Sequence, residues 1–283
     1  MEYQELYKIG FAQLADNEIA EAALDARLLL EFVCNTNRND LLVHGEREVE
    51  KEKEEKYLEL IRIRSNHIPL QHITGVQDFM GLEFTVNENV LIPRQDTEIL
   101  VEEVLKELHD GMSVLDMCTG SGCILVSLLF FTNNCRGTGV DLSEKALEVA
   151  KKNADKLLAD RMGYGDMSYE FLASNLFEKV EGKYDRIVSN PPYIRSDVIP
   201  SLMPEVKNHE PIMALDGAED GLYFYREIIS QSIPHLNGGG ILYFEIGYDQ
   251  GEAVSSLMAE AGFKEIQVIQ DYAGLDRVVY GML

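Results

Sequence analysis

The chain has 283 residues, with 49 acidic against 25 basic side chains and a formal net charge of -24. This length supports one large domain or two unequal ones, with enough core to fold without disulfides. A surface this acidic repels phosphate backbones, which disfavours DNA or RNA as a substrate.

Cysteine and histidine spacing argues against several other classes. The four cysteines form no C-x-x-C pair, and the six histidines are scattered without metal-ligand spacing. No apolar run is long enough to span a membrane, and nothing resembles a signal peptide. We therefore expect a reduced, cytoplasmic protein that holds no metal and contacts neither a membrane nor nucleic acid directly.

Residues 1–73 show only helical apolar spacing, which predicts a small N-terminal helical bundle. Asn39 and Asp40 are predicted to cap a short helix over residues 41–44. One apolar stripe consists of Leu24, Leu28, Leu29, Phe32 and Val33, and another of Tyr57, Leu58, Leu60, Ile61 and Ile63.

The next segment, residues 74–95, has a different pattern. Pro69 and Gly75 interrupt the helical spacing, and two short extended runs follow at residues 77–79 and 82–86. Gly81 lies between the runs and predicts the turn of a β-hairpin. We interpret residues 74–95 as a hairpin connector between two domains.

Residues 96–283 begin with a helix start at Asp96-Thr97-Glu98 and then alternate strand and helix patterns. The alternation predicts an α/β fold with a doubly wound, mostly parallel seven-stranded sheet, whose ligands bind beyond the carboxyl ends of the strands. Only residues 271–276 separate the last two strands, so one of them should run antiparallel. The predicted strands are 113–118, 137–141, 168–172, 184–189, 240–246, 264–270 and 277–283, and the helices are 124–131, 144–158, 222–233 and 250–261.

A glycine-containing loop and an aspartate mark a candidate cofactor site. The first strand passes into Thr119-Gly120-Ser121-Gly122, where glycine lets the backbone approach a ligand closely. No third glycine is in register for a dinucleotide fingerprint. The second strand ends at Asp141, whose carboxylate can accept from both hydroxyls of a ribose. Together they favour a nucleoside-bearing cofactor over a purely structural loop.

The tetrapeptide Asn190-Pro191-Pro192-Tyr193 follows the fourth strand. Neither proline position can continue a strand, so the Pro191 carbonyl is held rigid and free. The Asn190 side-chain oxygen and that carbonyl can each accept one hydrogen of a planar NH2 group, while Tyr193 offers a flat face. The tetrapeptide alone fits a glutamine amide, an adenine amino group or an ordinary turn with a buried tyrosine.

Three motifs occur in order along the chain: Asp116-Met117-Cys118-Thr119-Gly120-Ser121-Gly122, Val140-Asp141 and Asn190-Pro191-Pro192-Tyr193. Together they resemble the class I (Rossmann-like) S-adenosylmethionine-dependent methyltransferases that act on planar nitrogens. The resemblance is narrowed to one family by further segments at residues 79–84, 90–98, 210–211, 214–217, 220–222 and 276–278. Nearly the whole chain is similar to the PrmC (HemK) family, which methylates the N5 nitrogen of the glutamine in the Gly-Gly-Gln motif of peptide-chain release factors.

The resemblance implies a role for particular residues. Asn190 would lie between the cofactor methyl and the substrate amide, and Pro191, Pro192 and Tyr193 would complete the glutamine site. The cofactor-binding residues would be Cys118, Thr119, Gly120, Ser121, Gly122, Asp141, Asn175, Leu176 and Asn190. Three positions depart from the family pattern: Cys118 replaces a glycine, Gln95 a proline and Asn175 an aspartate.

The resemblance also implies the partners: S-adenosylmethionine as methyl donor, a release factor as protein substrate recognised by the N-terminal helices, and a monomeric enzyme. Three alternatives stay open at this point. They are a glutamine methyltransferase of a ribosomal protein, a DNA or RNA adenine N6-methyltransferase, which the acidic charge disfavours, and a cofactor-binding module without catalysis. We assign Met213 and the Tyr223-Phe224-Tyr225 cluster to core packing.

Overall fold

The computed structural model describes residues 1–161 and 165–283, and the chain separates into two compact units. The smaller unit comprises Met1–Val76 with Met203–His209, and the larger comprises Gln77–Leu202 with Glu210–Leu283. Sequence analysis placed residues 203–209 in the third segment, whereas the structure groups them with the helices. The domain divisions at residues 73 and 95 stay a prediction. None of the helices in the two described ranges is both long and apolar enough to cross a lipid bilayer.

The smaller unit is helical, as the apolar spacing predicted. Its helices in the first part of the chain are α1 (Tyr3–Asp16), α2 (Ala22–Cys34), α3 (Arg38–Val43), α4 (Lys51–Arg64) and α5 (Leu70–Thr74). The Tyr57 hydroxyl of α4 donates to the Ala26 carbonyl of α2 at 3.2 Å, which fixes how these two helices pack. A fully buried cluster that includes Leu6, Leu14, Leu29 and Leu30 forms the core.

Two predictions within this unit were wrong in part. Of the predicted α2 stripe, Leu29 is buried, and Leu28 and Val33 pack against the same core. Leu24 and Phe32 are instead 40% and 50% exposed, because the face that α2 buries against α1 and α4 also carries Ala26 and Leu30. The short helix α3 starts at Arg38 and not at residue 41. Its cap is Asn37, whose side chain accepts from the backbone N–H groups of residues 39 and 40.

The predicted hairpin is present as β1 (Val76–Phe79) and β2 (Leu82–Thr85), which pair in a two-stranded sheet. Met80 and Gly81 both have positive φ, at 52° and 70°, as a two-residue turn of this kind requires. The predicted helix start at Asp96 is confirmed by α6 (Asp96–Glu107).

A seven-stranded sheet forms the centre of the larger unit and confirms the predicted fold class. Its order is β5-β4-β3-β6-β7-β9-β8, and β9 runs antiparallel to both of its neighbours. The strands are β3 (Ser113–Met117), β4 (Arg136–Asp141), β5 (Ser168–Ala173), β6 (Tyr184–Ser189), β7 (Leu236–Glu245), β8 (Lys264–Gln270) and β9 (Asp276–Met282). The remaining helices are α7 (Cys123–Phe131), α8 (Glu144–Leu157), α9 (Pro204–His209) in the smaller unit, α10 (Tyr223–Ser232) and α11 (Gly251–Glu260).

Successive residues of the central strands point to opposite faces of this sheet. Val114 and Val188 pack in the core that α6 and α7 share, while Leu115 and Ile187 pack in the core of α10 and α11. Helices therefore cover both faces. Because β3, β4, β5 and β6 run parallel, their carboxyl ends meet at one edge of the sheet, and the predicted site residues lie at or after those ends.

Candidate active site

A cavity of about 430 Å³ lies at the carboxyl ends of β3, β4 and β6, where ligand sites are expected in sheets of this type. Three predicted residues, Gly122, Pro191 and Tyr193, do not line it. The predicted residues that do are Cys118, Thr119, Gly120, Ser121, Asp141, Asn175, Leu176, Asn190 and Pro192.

The loop after β3 is a tight turn that exposes its backbone to the cavity. The Thr119 N–H donates to the Val140 carbonyl at 2.9 Å, and the Gly122 N–H donates to the Thr119 carbonyl at 2.8 Å. Gly122 has φ +78°, and a Cβ there would lie 3.0 Å from the Ala150 Cβ. Gly122 therefore permits close packing of α7 against α8 and does not itself line the cavity.

Cys118 occupies a backbone conformation that usually requires glycine. Its φ is +64°, in the left-handed region. This geometry explains why glycine is usual at this position in the family that the motifs resemble. Burial and the nearby carboxylates of Asp141 and Asp116 raise the pKa of the thiol, so Cys118 stays protonated at neutral pH.

Asp141 ends β4 and is fixed by two backbone amides. The Gly120 N–H donates to Oδ2 and the Ser143 N–H donates to Oδ1, both at 2.9 Å. Burial raises the pKa of the carboxyl group, while these hydrogen bonds oppose that shift. Each carboxylate oxygen keeps lone-pair capacity, so Asp141 can still accept hydrogen bonds from a ligand.

Asn175 follows β5 and presents an acceptor. Its Nδ2 donates to the Glu178 Oε1 at 2.7 Å, which leaves the amide oxygen as the group available to a ligand. An amide can replace a carboxylate at this position only if its oxygen faces the donor. The neighbouring Leu176 is buried at the cavity wall with φ +47°.

Asn190 follows β6, and its side chain is oriented by Thr97 of α6. Nδ2 donates to the Thr97 Oγ1 at 3.4 Å. Across the described residues, neither Asn190 Oδ1 nor the Pro191 carbonyl oxygen has a hydrogen-bond partner. Two neighbouring acceptors are therefore free at the end of the same strand.

Three further contacts hold this loop rigid. Gln250 Nε2 donates to the Tyr193 carbonyl at 3.1 Å, and the Tyr193 hydroxyl donates to the Glu245 Oε1 at 3.4 Å. The Ile194 N–H donates to the Leu215 carbonyl at 3.0 Å. Burial raises the pKa of Tyr193, so its hydroxyl stays protonated as a donor.

The cavity also includes residues that sequence analysis did not assign to it. Met213 and Phe224 line it, although both were predicted to be core residues, and Met213 is 49% exposed. They lie in a segment tied to the cavity by a bidentate ion pair, in which Arg94 Nη2 donates to Glu210 at 2.7 and 2.6 Å. No local period identifies such residues, because Met213 lies in a short 3-10 helix and Phe224 at the start of α10, and only the tertiary fold brings both to the cavity.

The two described ranges contain no group of three or more histidine, cysteine, aspartate or glutamate side chains arranged to hold a metal ion. The cavity presents fixed hydrogen-bond acceptors at strand ends, including Asp141 and Asn190.

Comparison with known proteins gives matches along most of the chain. Residues 5–75 match the PrmC N-terminal domain, and residues 94–203 match the methyltransferase small domain. A release factor glutamine methyltransferase from Clostridium botulinum is 42% identical over 273 residues, which is 95% of this chain and 95% of the relative. A protein of the same name from Clostridium acetobutylicum is 43% identical over 260 residues, covering 90% of this chain and 89% of the relative.

Among solved structures, a methyltransferase from Pyrococcus furiosus aligns with a TM-score of 0.52 over 80% of this chain and 98% of its own. At 16% identity it supports the fold alone. The sheet order, the cavity at the strand ends and the matched domain define an enzyme of the class I methyltransferases. Within this class, the chain belongs to the family of release factor glutamine methyltransferases.

Proposed function

We propose that this enzyme transfers the methyl group of S-adenosylmethionine to the side-chain N5 nitrogen of the glutamine in the Gly-Gly-Gln motif of peptide-chain release factors. The observation that carries the proposal is the pair of free acceptors, Asn190 Oδ1 and the Pro191 carbonyl, at the end of β6. A primary amide has two N–H hydrogens in one plane, and two acceptors can bind both.

The residues around the cavity fit the methyl donor. The volume of about 430 Å³ lies within the usual range for small-molecule sites. Asp141 offers carboxylate oxygens for the ribose hydroxyls, and Asn175 Oδ1 offers an acceptor for the adenine amino group. Gly120 has no atom within 4 Å of the position of a Cβ, so its backbone is open to a ligand. When bound, S-adenosylmethionine supplies a methyl group on a positively charged sulfur.

The loop residues act by orienting the substrate amide. The lone pair of an amide nitrogen is delocalised into its carbonyl, so the nitrogen is a weak nucleophile. Hydrogen bonds to Asn190 and Pro191 hold the nitrogen in position and become stronger as it acquires positive charge in the transition state. The methylated nitrogen is strongly acidic, so its extra proton leaves without a strong general base.

The charge distribution supports a protein substrate over a nucleic acid. A net charge of -24 opposes the phosphate contacts that an adenine methyltransferase of DNA or RNA needs. Because a release factor acts beside ribosomal RNA, we expect it to present basic surface, which an acidic enzyme would attract. We expect the rate of complex formation to fall as salt concentration rises, and a salt-insensitive association would contradict this part of the proposal.

Transfer of label from methyl-labelled S-adenosylmethionine to a purified release factor tests the proposal. We expect one methyl group per release factor, lost when the Gly-Gly-Gln glutamine is changed to alanine. The matched control is a release factor in which a glutamine outside the motif is changed to alanine, and it should be methylated as before. Label that persists in the motif variant would refute the target.

A further inference from the structure

A buried amide side chain, that of Gln250, contacts the loop that carries Asn190. Gln250 immediately precedes α11, is 9% exposed and does not line the cavity. Its Nε2 donates to the Tyr193 carbonyl at 3.1 Å and to the Gly221 carbonyl at 3.2 Å. Its Oε1 accepts from the Gly247 N–H at 2.9 Å. Backbone groups therefore use both N–H hydrogens and the oxygen of this amide.

The three partners of Gln250 are satisfied by only one orientation of its amide. Two backbone carbonyls need a donor and one backbone N–H needs an acceptor, so a reversed amide would place its oxygen against the carbonyls of Tyr193 and Gly221. A carboxylate of the same length keeps the acceptor but has no donor. An apolar side chain of the same length has neither, and it would leave all three buried backbone groups without these hydrogen bonds.

The segment that carries Gly221 approaches the same loop closely. Gly221 has φ +74°, and a Cβ there would lie 2.5 Å from the Tyr193 carbonyl oxygen and 2.8 Å from the Gln250 Nε2. Nearby, the Ile194 carbonyl accepts from the Gly217 N–H at 2.8 Å. Gln250 therefore joins two backbone segments that already run side by side.

The two acceptors for the substrate amide lie between two fixed points of the chain. Ser189 pairs with both β3 and β7 in the sheet, and the Tyr193 carbonyl is held by Gln250. Only residues 190–192 lie between these points. The rings of the two prolines hold φ at about −65°, so few backbone torsions separate the Tyr193 carbonyl from the Pro191 carbonyl.

We propose that Gln250 is a positioning residue that holds the Tyr193 backbone and thereby directs the Pro191 carbonyl towards the second N–H of the substrate amide. The inference rests on the proposed function, because it concerns how the glutamine amide is oriented. A side-chain substitution cannot remove a backbone carbonyl, so the residue that holds the loop provides the means of testing that acceptor. Gln250 lies 57 positions from Tyr193, and no motif near the tetrapeptide indicates it.

The test is to measure kcat, KM and cofactor affinity for the wild type, Gln250→Met and Gln250→Glu. Methionine fills a similar volume without these hydrogen bonds, and glutamate keeps only the acceptor for Gly247. We expect kcat and kcat/KM to fall together by about tenfold to a hundredfold in both variants, because a shift of about 1 Å in a positioning group has an effect of that size. Affinity for S-adenosylmethionine should change by less than about twofold, because Asp141 and Asn175 are unaltered.

Asn237→Leu is the matched control. Asn237 is another amide side chain that contacts β6, and its Nδ2 donates to the Asp185 Oδ1 at 2.7 Å near the opposite end of that strand. This substitution also replaces an amide with an apolar side chain of similar size. It should leave kcat unchanged, so loss of an amide contact to β6 does not by itself slow methyl transfer.

Amide hydrogen exchange measures the loop directly and needs no variant to fold. The Ile194 N–H donates to the Leu215 carbonyl at 3.0 Å, and the Gly217 N–H donates to Ile194. Both amides should be protected in the wild type. In Gln250→Met they should exchange at least about tenfold faster, with the amides in the middle of β6 unchanged. Wild-type exchange at these two amides as fast as in an exposed loop would overturn the inference.

The kinetic outcomes separate this inference from the proposed function. An unchanged kcat in folded Gln250→Met, with normal transfer by the wild type, would overturn the inference and leave the proposed function intact. Equal losses of kcat and cofactor affinity would also overturn it, since they indicate general damage to the fold. If the wild type transfers no methyl group to a release factor, the proposed function fails and this inference fails with it.

Discussion

Replacing Asn190 with alanine separates catalysis from cofactor binding. The side chain makes one hydrogen bond within the described residues, the 3.4 Å contact from Nδ2 to Thr97, and Oδ1 is kept for the substrate. Removing one fixed acceptor for developing charge typically lowers kcat by about 10² to 10³, or about 2.7–4 kcal/mol of transition-state stabilisation. We expect a loss of that size in Asn190→Ala.

The accompanying cost to folding should be smaller. Thr97 loses one donor in the variant, and the loss of one such hydrogen bond costs about 0.5–1.5 kcal/mol of stability. Cofactor affinity should change little, because the acceptors of Asp141 and Asn175 remain. The kinetic loss therefore exceeds the stability loss.

Single-turnover methyl transfer with saturating release factor measures the kinetic effect, and calorimetric titration with S-adenosylmethionine measures affinity. Asn89→Ala is the matched control, because Asn89 lines the same cavity without following β6. Its kcat should fall by less than about threefold, within the range of surface substitutions. An equal loss of kcat and cofactor affinity in Asn190→Ala would refute the assigned role.

Three other substitutions test the remaining geometry. Gly217→Ala places a Cβ 2.8 Å from the Tyr193 backbone, so it should cost about 1–3 kcal/mol of stability and lower kcat. The control is Gly238→Ala, whose Cβ meets no atom within 4 Å. This control should change neither the midpoint of thermal unfolding nor the activity. Asp141→Asn turns a donor towards the backbone N–H groups and should weaken cofactor binding by about tenfold to a hundredfold, measured by titration; unchanged affinity would contradict its role. Cys118→Gly should be about 1 kcal/mol more stable than Cys118→Ala in chemical denaturation, because only glycine adopts the positive φ at this position without backbone strain. The reverse order of stability would show that this strain is absent.

Much of the fold could be predicted from local pattern. Strand runs and helical spacing are properties of neighbouring residues, so the sheet, the hairpin and most helices of the larger unit were found, with end errors of a few residues such as the earlier start of β7. Two residues of the predicted α2 stripe were wrong for a related reason. Leu24 and Phe32 fit a helical period, but small alanines such as Ala26 allow closer packing, and contact with α1 and α4 decided which face is buried.

The sequence by itself determined the chemistry of the strand ends. Parallel strands bring their carboxyl ends together at one edge of the sheet. The sequence alone therefore places three features at that edge: the loop after β3, Asp141 at the end of β4 and Asn190 after β6. Only the tertiary structure decided how those residues are held. Thr97 and Asn190 lie 93 positions apart in the chain, and the hydrogen bond between their side chains depends on the packing of α6 against the sheet, which no local period encodes. One tetrapeptide therefore supplies both acceptors, Asn190 Oδ1 and the Pro191 carbonyl. The orientation of the Asn190 side chain depends on contacts that form only when distant segments fold together.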